Sequence, residues 1–203
     1  MPDRRRLYQR IAPYYDILDF IGEALGQRRV RPQLFEGLSG RILDAGVGTG
    51  RNIPFYPPGA DIAGMDLSSA MLRRANRRRQ RLDVPLHLVA SNICQSPFPD
   101  DYFDAAVATF LFCVLDDADQ LPALKELARI CRTGAEIRLL DYVLPEDPGR
   151  RRSTRRMAPV IKFLFGASVE RDTEKYAAAA GLSVTERRFV AGDHCRMLVL
   201  HHA

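Results

Sequence analysis

Cysteine is scarce in this 203-residue chain and has no regular spacing. Cys94, Cys113, Cys131 and Cys195 form no CxxC pair, so free buried thiols in a reducing compartment are expected. His201 and His202 at the terminus are too few ligands for zinc, and no metal is expected. No stretch approaches 18 uninterrupted apolar residues, which excludes a bilayer-spanning helix. The N-terminus lacks an apolar run ending in a small-residue cleavage site; no signal peptide is expected, and the chain is assigned to the cytoplasm. There is no internal repeat. Apolar residues make up 46% and charged residues 27%, a balance that supports a packed core and argues against disorder. The length permits one domain, with room for a cap or insertion.

Arginine, by contrast, is in excess. The formal net charge is +5, and the positive charge is clustered at Arg4–Arg6, Arg73 to Arg81 and Arg150 to Arg156. Such patches suit a nucleic acid, a phosphate headgroup or an acidic membrane surface; the alternative is solubility.

From residue 41 the pattern alternates. "RILDAG", "ADIAGMD", "PLHLVAS", "FDAAVATF" and "EIRLLDYV" read as short buried strands. Between them "SSAMLRRANRRRQRL" sets Met71, Leu72, Ala75 and Leu82 on one helical stripe, with Arg73, Arg74, Arg77 and Arg81 opposite and Ser68 as N-cap. "DADQLPALKELARICRTG" is a second helix, with Gly134 as its stop. Strand and helix in alternation predict a mainly parallel sheet covered on both faces. After Tyr142 the rhythm breaks. "LPEDPGRRRSTRRMAPVIKFLFG" reads as an insertion or lid, "SVERDTEKYAAAAGL" as a helix closed by Gly181, and "LSVTERRF" with "CRMLVLHH" as a terminal strand pair.

"RILDAGVGTGRN" carries the most chemical information. An apolar strand ends in Asp44, and Gly46, Gly48 and Gly50 come next, allowing a sharp turn and close approach to a ligand. Twenty-two residues beyond Asp44, the next strand ends in Asp66, placed to accept hydrogen bonds from a ribose diol. The carboxylate two residues before the first glycine would repel a dinucleotide pyrophosphate; a cationic, non-phosphorylated nucleoside fits better.

These segments resemble the class I S-adenosylmethionine-dependent methyltransferases over most of the chain. "MDLSSAMLRRA" resembles the family's second motif, "SNICQSPFPDDYFDAAVATF" its third and fourth, and "LKELARICRTGAEIRLLDYV" the segment before strand five. The resemblance implies a Rossmann-like α/β fold: a seven-stranded, mainly parallel sheet with the last strand antiparallel, helices on both faces and an N-terminal helical lid. It implies S-adenosylmethionine as cofactor and S-adenosylhomocysteine as product. Gly46, Gly48 and Gly50 would line the methionine part with Asp44 nearby. Asp66 would bind the ribose, Leu67 and Met71 would pack on adenine, Asn92 and Ile93 would meet its edge, and Thr109 would flank the methionine moiety. The family often has Asp where this chain has Asn92, and "RTGAE" replaces its "RPGG".

The segment after strand four narrows the choice of methyl acceptor. "TFLFC" lacks the Asn/Asp-Pro-Pro-aromatic motif of nucleic-acid amino-methylating enzymes, no Pro-Cys nucleophile is present, and aromatic stacking sets for single strands are missing; no nucleic-acid partner is expected. A small molecule or lipid remains. Asp16 to Leu25 places Ile17, Leu18, Phe20, Ile21, Ala24 and Leu25 on one face, flanked by Arg4–Arg6, Arg10, Arg28, Arg29 and Arg31, in the manner of an interfacial helix or of a helix packed on the sheet. "GRRRSTRRMAPVIKFLFG" sets five arginines before an apolar run that could line an acyl groove.

"YQRIAPYYD" resembles the opening of the ubiquinone- and menaquinone-type methyltransferases, and the chain is similar in length and organisation to the bacterial phospholipid N-methyltransferases of the Rhodobacter type. That resemblance implies that Tyr8 and Tyr15 close over the cofactor. Tyr14, Tyr15, Asp141, Tyr142 and Tyr176 are candidates around the amine, with His194 assisting, and Arg155, Arg187 and Arg188 are candidates for the substrate phosphate. Tyrosine rings can hold an ammonium by cation–π attraction. The expectation is a single methyltransferase domain over 1–203. Residues 1–38 form a lid and membrane-contact segment, 41–142 the cofactor-binding core, and 143–203 the acceptor-site insertion and terminal strands. The expected reaction is successive N-methylation of phosphatidylethanolamine towards phosphatidylcholine, by a monomer bound peripherally to an anionic membrane at its inner face. The alternative is C-methylation of a prenylated quinol or another hydrophobic small molecule.

Overall fold

The structure is a computed structural model that describes residues 28–202. Seven strands lie in the order β3-β2-β1-β4-β5-β7-β6. They are β1 (Arg41–Ala45), β2 (Asp61–Asp66), β3 (His87–Ala90), β4 (Phe103–Thr109), β5 (Cys131–Tyr142), β6 (Leu182–Ala191) and β7 (Cys195–His202). All neighbouring pairs from β3 to β5 are parallel; β7 runs antiparallel to both β5 and β6. The expected Rossmann-like architecture is therefore present, with its one reversed strand the last. Among the described residues the α-helices are α1 (Arg28–Phe35), α2 (Ser69–Leu82), α3 (Asp117–Ile130) and α4 (Pro148–Phe165). Among the described residues no helix is long and apolar enough to cross a membrane.

The central strands are buried on both faces, which is why they read as continuous apolar runs. One side of the sheet packs Leu43, Ala106, Ile137 and Leu139 against Ala123, Leu124 and Leu127 of α3. The other packs Ile42, Ala105, Val107 and Leu140 against Val30, Leu34 and Phe35 of α1. Burying a side chain of that size contributes roughly 1.5–3 kcal/mol, so α1 belongs to the core. Its residues fall within the stretch expected as lid, and Arg31, expected among the arginines flanking a membrane helix, is only 3% exposed. Asp16 to Leu25 lies outside the described residues.

Ser68 caps α2, accepting from the Met71 N–H at 3.4 Å. Met71, Leu72 and Ala75 are buried, but Leu82, in the last turn before Asp83 in the left-handed region, is 44% exposed. α3 stops at Ile130, before Gly134: Cys131 is already extended and pairs with Phe103, and Gly134 (φ +79°) sits inside β5 near a register shift. The break after Tyr142 becomes one helix, α4, capped by Asp147 accepting from the Arg150 N–H at 2.8 Å. The segment expected as a helix up to Gly181 forms only two 3-10 turns, Glu174–Tyr176 and Ala178–Ala180. Thr173 is tied to Gln120 of α3 by a 2.8 Å hydrogen bond, and β6 begins at Leu182.

Candidate active site

The sheet's strand order reverses between β1 and β4, and a crevice opens there at the carboxyl ends of the strands. The chain leaves β1 through Gly46 (φ +73°), Gly48 (φ +53°) and Gly50 (φ +80°). A Cβ on Gly46 would come within 3.0 Å of Leu111, and one on Gly50 within 2.5 Å of Ile53 and 3.1 Å of the Ala75 Cα. Gly50 thus lets α2 press against the loop. At Gly48 an added Cβ would meet nothing nearer than the Gly46 carbonyl at 3.8 Å; the room there belongs to the pocket.

Asp66 ends β2 and closes this loop from the side. Its Oδ2 accepts the Gly48 N–H at 3.0 Å and its Oδ1 the Ser68 N–H at 2.7 Å. Each oxygen keeps a second lone pair, so the carboxylate can still accept two hydroxyls of a vicinal diol. Burial pushes its pKa up to about 6, with the two N–H groups opposing the rise. The pocket encloses about 890 Å³, its open mouth included. Gly46, Gly48, Asp66 and Thr109 line its polar side; Leu67, Met71, Asn92 and Ile93 line one wall. Phe110, Leu111, Val114 and Leu115 line the other. The Asn92 Oδ1 already accepts the Cys94 N–H at 3.1 Å and retains one lone pair for an adenine amine.

Asp44 lies beneath the loop, not in the pocket, and is fully buried. The Asn52 Nδ2 lies 3.1 Å from each of its oxygens and 3.1 Å from the Thr109 Oγ1. The Tyr56 hydroxyl donates to Asp44 at 2.6 Å, and the Arg31 Nη1 donates to the Asn52 Oδ1 at 2.6 Å. Burial raises the Asp44 carboxyl to about 6, against the lowering effects of Tyr56, Asn52 and the Arg31 charge. The Tyr56 phenol is pushed up by its own burial and by the Asp44 charge, so it stays protonated and keeps donating. Sequence reasoning placed Arg31 only among the arginines flanking a membrane helix and did not single out Asn52 or Tyr56. Asn52 and Tyr56 offer a weak signal as polar residues just past the glycine loop; Arg31 offers none, since its partner lies 21 positions away.

The residues expected around an amine are divided. Tyr142 stacks on Phe110 at 4.7 Å and 20°, and on His194 at 6.5 Å and 11°, a column leading from the pocket wall to the turn before β7. Phe110, with no signal in the sequence, holds φ +54°, a strain of roughly 1–2 kcal/mol. Asp141 points to the opposite face of β5, where its Oδ1 accepts the Cys113 N–H at 3.0 Å behind the pocket wall. Burial pushes it up to about 7, opposed by the Cys113 hydrogen bonds and by the Arg196 charge. Tyr176 packs against the α3-side core with the Lys175 ammonium 4.8 Å from its ring, away from the pocket. Arg155 pairs with Glu170, Arg187 with Glu174 and Arg188 with Glu186, so none of the three stands open at the pocket. Tyr8, Tyr14 and Tyr15 lie outside the described residues.

A glycine-turned loop, an acid at the tip of β2 and an apolar slot for a base define a nucleoside-binding α/β protein of the Rossmann-like class. A family model described as a methyltransferase domain matches residues 42–134. The chain is 28% identical to a phosphatidylethanolamine N-methyltransferase of Cereibacter sphaeroides, over 90% of this chain and 88% of that one. It is 30% identical to a demethylmenaquinone methyltransferase of Roseiflexus sp. (strain RS-1), over 83% of this chain and 76% of that one. It spans less than two thirds of the length of several other demethylmenaquinone methyltransferases. The fold is also that of a geranyl diphosphate C-methyltransferase from Streptomyces coelicolor A3(2), solved with S-adenosyl-L-homocysteine, Mg2+ and geranyl diphosphate (TM-score 0.69, 15% identity, 87% of this chain and 80% of that one). The chain belongs to the class I S-adenosylmethionine-dependent methyltransferases, and S-adenosylmethionine is its cofactor. The site fits that group: two free acceptor positions on Asp66, room at Gly48 and an apolar slot beside Leu67 and Met71.

Proposed function

We propose that this enzyme methylates the amine of phosphatidylethanolamine, in successive steps towards phosphatidylcholine, at an anionic membrane surface. The observation that carries the reading is α4. It comes after the carboxyl end of β5, the edge at which the pocket opens, and has no acidic residue. Its arginines are exposed, and Met157 and Val160 are 52% and 45% exposed beside them. Arg150 and Arg155 pair with Asp193 and Glu170; Arg151, Arg152 and Arg156 have no acidic partner among the described residues. Cations beside exposed apolar side chains suit the headgroup layer of an acidic membrane. Similarity to a phosphatidylethanolamine N-methyltransferase along most of its length supports the same reading.

In this proposal the residues from Gly46 to Thr109 that line the pocket hold the cofactor, Asp66 its ribose diol, and Leu67, Met71, Asn92 and Ile93 its base. The cofactor supplies an electrophilic methyl on a sulfonium. The protein's part is to align an unprotonated amine with it and exclude water. Tyr142 and His194, with Tyr14 and Tyr15, remain the groups proposed around the amine. Asp141, set behind the wall at the Cys113 N–H, is better suited to hold that wall in place. Arg151, Arg152 and Arg156 replace Arg155, Arg187 and Arg188 as the arginines proposed to meet lipid phosphate.

A second reading, C-methylation of a prenylated quinol, is favoured by the stacked Phe110–Tyr142–His194 column, which could face a planar ring. One experiment separates the two. Vesicles containing phosphatidylethanolamine, and separate vesicles containing a demethylated quinol, are incubated with methyl-labelled cofactor. Mono-, di- and trimethylated lipid is expected; label in the quinol alone would select the second reading.

A further inference from the structure

Arg31 is a charged side chain that the expected cofactor site does not use, yet it is buried at 3% exposure inside the core formed by α1. A buried guanidinium is costly without partners. Its Nη1 donates to the Asn52 Oδ1 at 2.6 Å, and its guanidinium lies 5.9 Å from the centre of the Phe110 ring in the pocket wall. Asn52 passes the contact on, with its Nδ2 at 3.1 Å from both Asp44 oxygens and from Thr109. One amide thus lies between a buried cation and a buried carboxyl, directly beneath the first glycine of the loop.

We propose that Arg31 is a positioning residue for the cofactor: it orients Asn52 and is the counter-cation that keeps Asp44 ionised under the glycine loop. The consequence is electrostatic. S-adenosylmethionine carries a fixed sulfonium charge and an ammonium, and an ionised carboxylate under the loop attracts both, whereas a protonated one does not. Among the described residues, groups facing this cluster include Asp66 at the tip of β2, the Tyr56 hydroxyl, Thr109 from β4 and, beside Arg31, the Cys195 thiol of β7, on which the Asp141 charge also acts. Burial holds Tyr56 and Cys195 protonated near neutrality. The inference rests on the glycine loop holding the methionine end of the cofactor, and not on which acceptor is methylated.

The test tracks the Asp44 carboxyl by carbon-13 NMR titration in cofactor-free protein, in wild type, Arg31→Met and Arg31→Lys. Arg31→Met should raise the Asp44 midpoint by about one pH unit or more, the size expected for losing a nearby opposite charge. Arg31→Lys keeps the charge while losing the fork and should hold the midpoint close to wild type. Calorimetric titration with S-adenosylmethionine at pH 7 should show binding weakened about twofold in Arg31→Met for a midpoint rise of about one pH unit, and about tenfold for a rise of about two, as the ionised fraction of Asp44 falls, with a smaller loss in Arg31→Lys. If Arg31→Met does not fold, the double variant R31M/D44N should fold, and its affinity should rise less between pH 5 and 8 than that of wild type, the remaining rise belonging to Asp66. An Asp44 midpoint unmoved by Arg31→Met, an equal shift in Arg31→Lys, or a double variant whose affinity rises between pH 5 and 8 as much as that of wild type would overturn the proposal. No acceptor is present in these measurements, so their outcome is separate from the phospholipid reading.

Discussion

The carboxylate of Asp66 and the backbone N–H of Gly48 are 3.0 Å apart, although 18 residues separate them in the chain. The acid at the end of β2 therefore does two things. It fixes the conformation of the loop that leaves β1, and it presents its remaining lone pairs to the pocket. Loop geometry and ribose recognition share one side chain.

Replacing Asp66 by Asn should weaken cofactor binding by roughly ten- to a hundredfold, the range for losing charge-assisted hydrogen bonds of about 1.5–3 kcal/mol. Isothermal calorimetry with S-adenosylmethionine reads this directly. Adenine-only ligands should lose less, since Leu67, Met71 and Asn92 are untouched.

The pH dependences of binding and of stability should run in opposite directions. Asp44 and Asp66 are both raised from 3.8 to about 6 in the folded protein. The folded state holds their protons more tightly than the unfolded chain, so their contribution to stability is complete below about pH 4 and is lost as pH rises through 6. Cofactor binding uses the carboxylates and should strengthen across the same interval. Denaturant unfolding at pH 5 and pH 8, compared between wild type and Asp66→Asn, should show the variant gaining relative stability at the higher pH.

Gly50→Ala should lower stability by about 2–3 kcal/mol, since a side chain at φ +80° is strained and its Cβ would collide with Ile53 and the Ala75 backbone. Gly48→Ala, whose Cβ meets no side chain, should affect the cofactor more than the fold. Urea midpoints and cofactor affinities for the two variants distinguish these effects.

The combined change Arg151→Gln, Arg152→Gln and Arg156→Gln should reduce partitioning onto anionic vesicles by on the order of a hundredfold, at roughly 1 kcal/mol for each charge near the surface. Binding of the unaltered protein should also fall steeply between low and physiological salt. Vesicle sedimentation measures both, and equal binding to neutral lipid would count against the role given to α4.

Local spacing made much of this molecule legible. The strands from Arg41 to Tyr142 were visible because each is a short apolar run bounded by turn residues. The glycines and Asp66 were visible because the loop and the next strand lie close together in the chain. The polar cluster under the loop was hidden for the opposite reason. A buried arginine looks like any surface arginine until its partner is known, and Asn52 is brought to Arg31 only when α1 packs on the sheet. The division of Asp141 from Tyr142 results from strand alternation once Tyr142 faces Phe110. The segment holding Tyr176 was read as a full helix, whereas it forms two 3-10 turns and the ring packs on the α3-side core.

The order of elements, the turn at Gly46–Gly50, the acid at Asp66 and the methyltransferase family they signal were already present in the linear pattern, since each depends on near neighbours and periodicity. Which charges are buried, which aromatic rings stack and which arginines stay unpaired depended on contacts between distant segments. Those contacts form only when the sheet brings α1, the glycine loop and the end of β4 together, and burial then gives Asp44 and Arg31 properties that neither has in isolation.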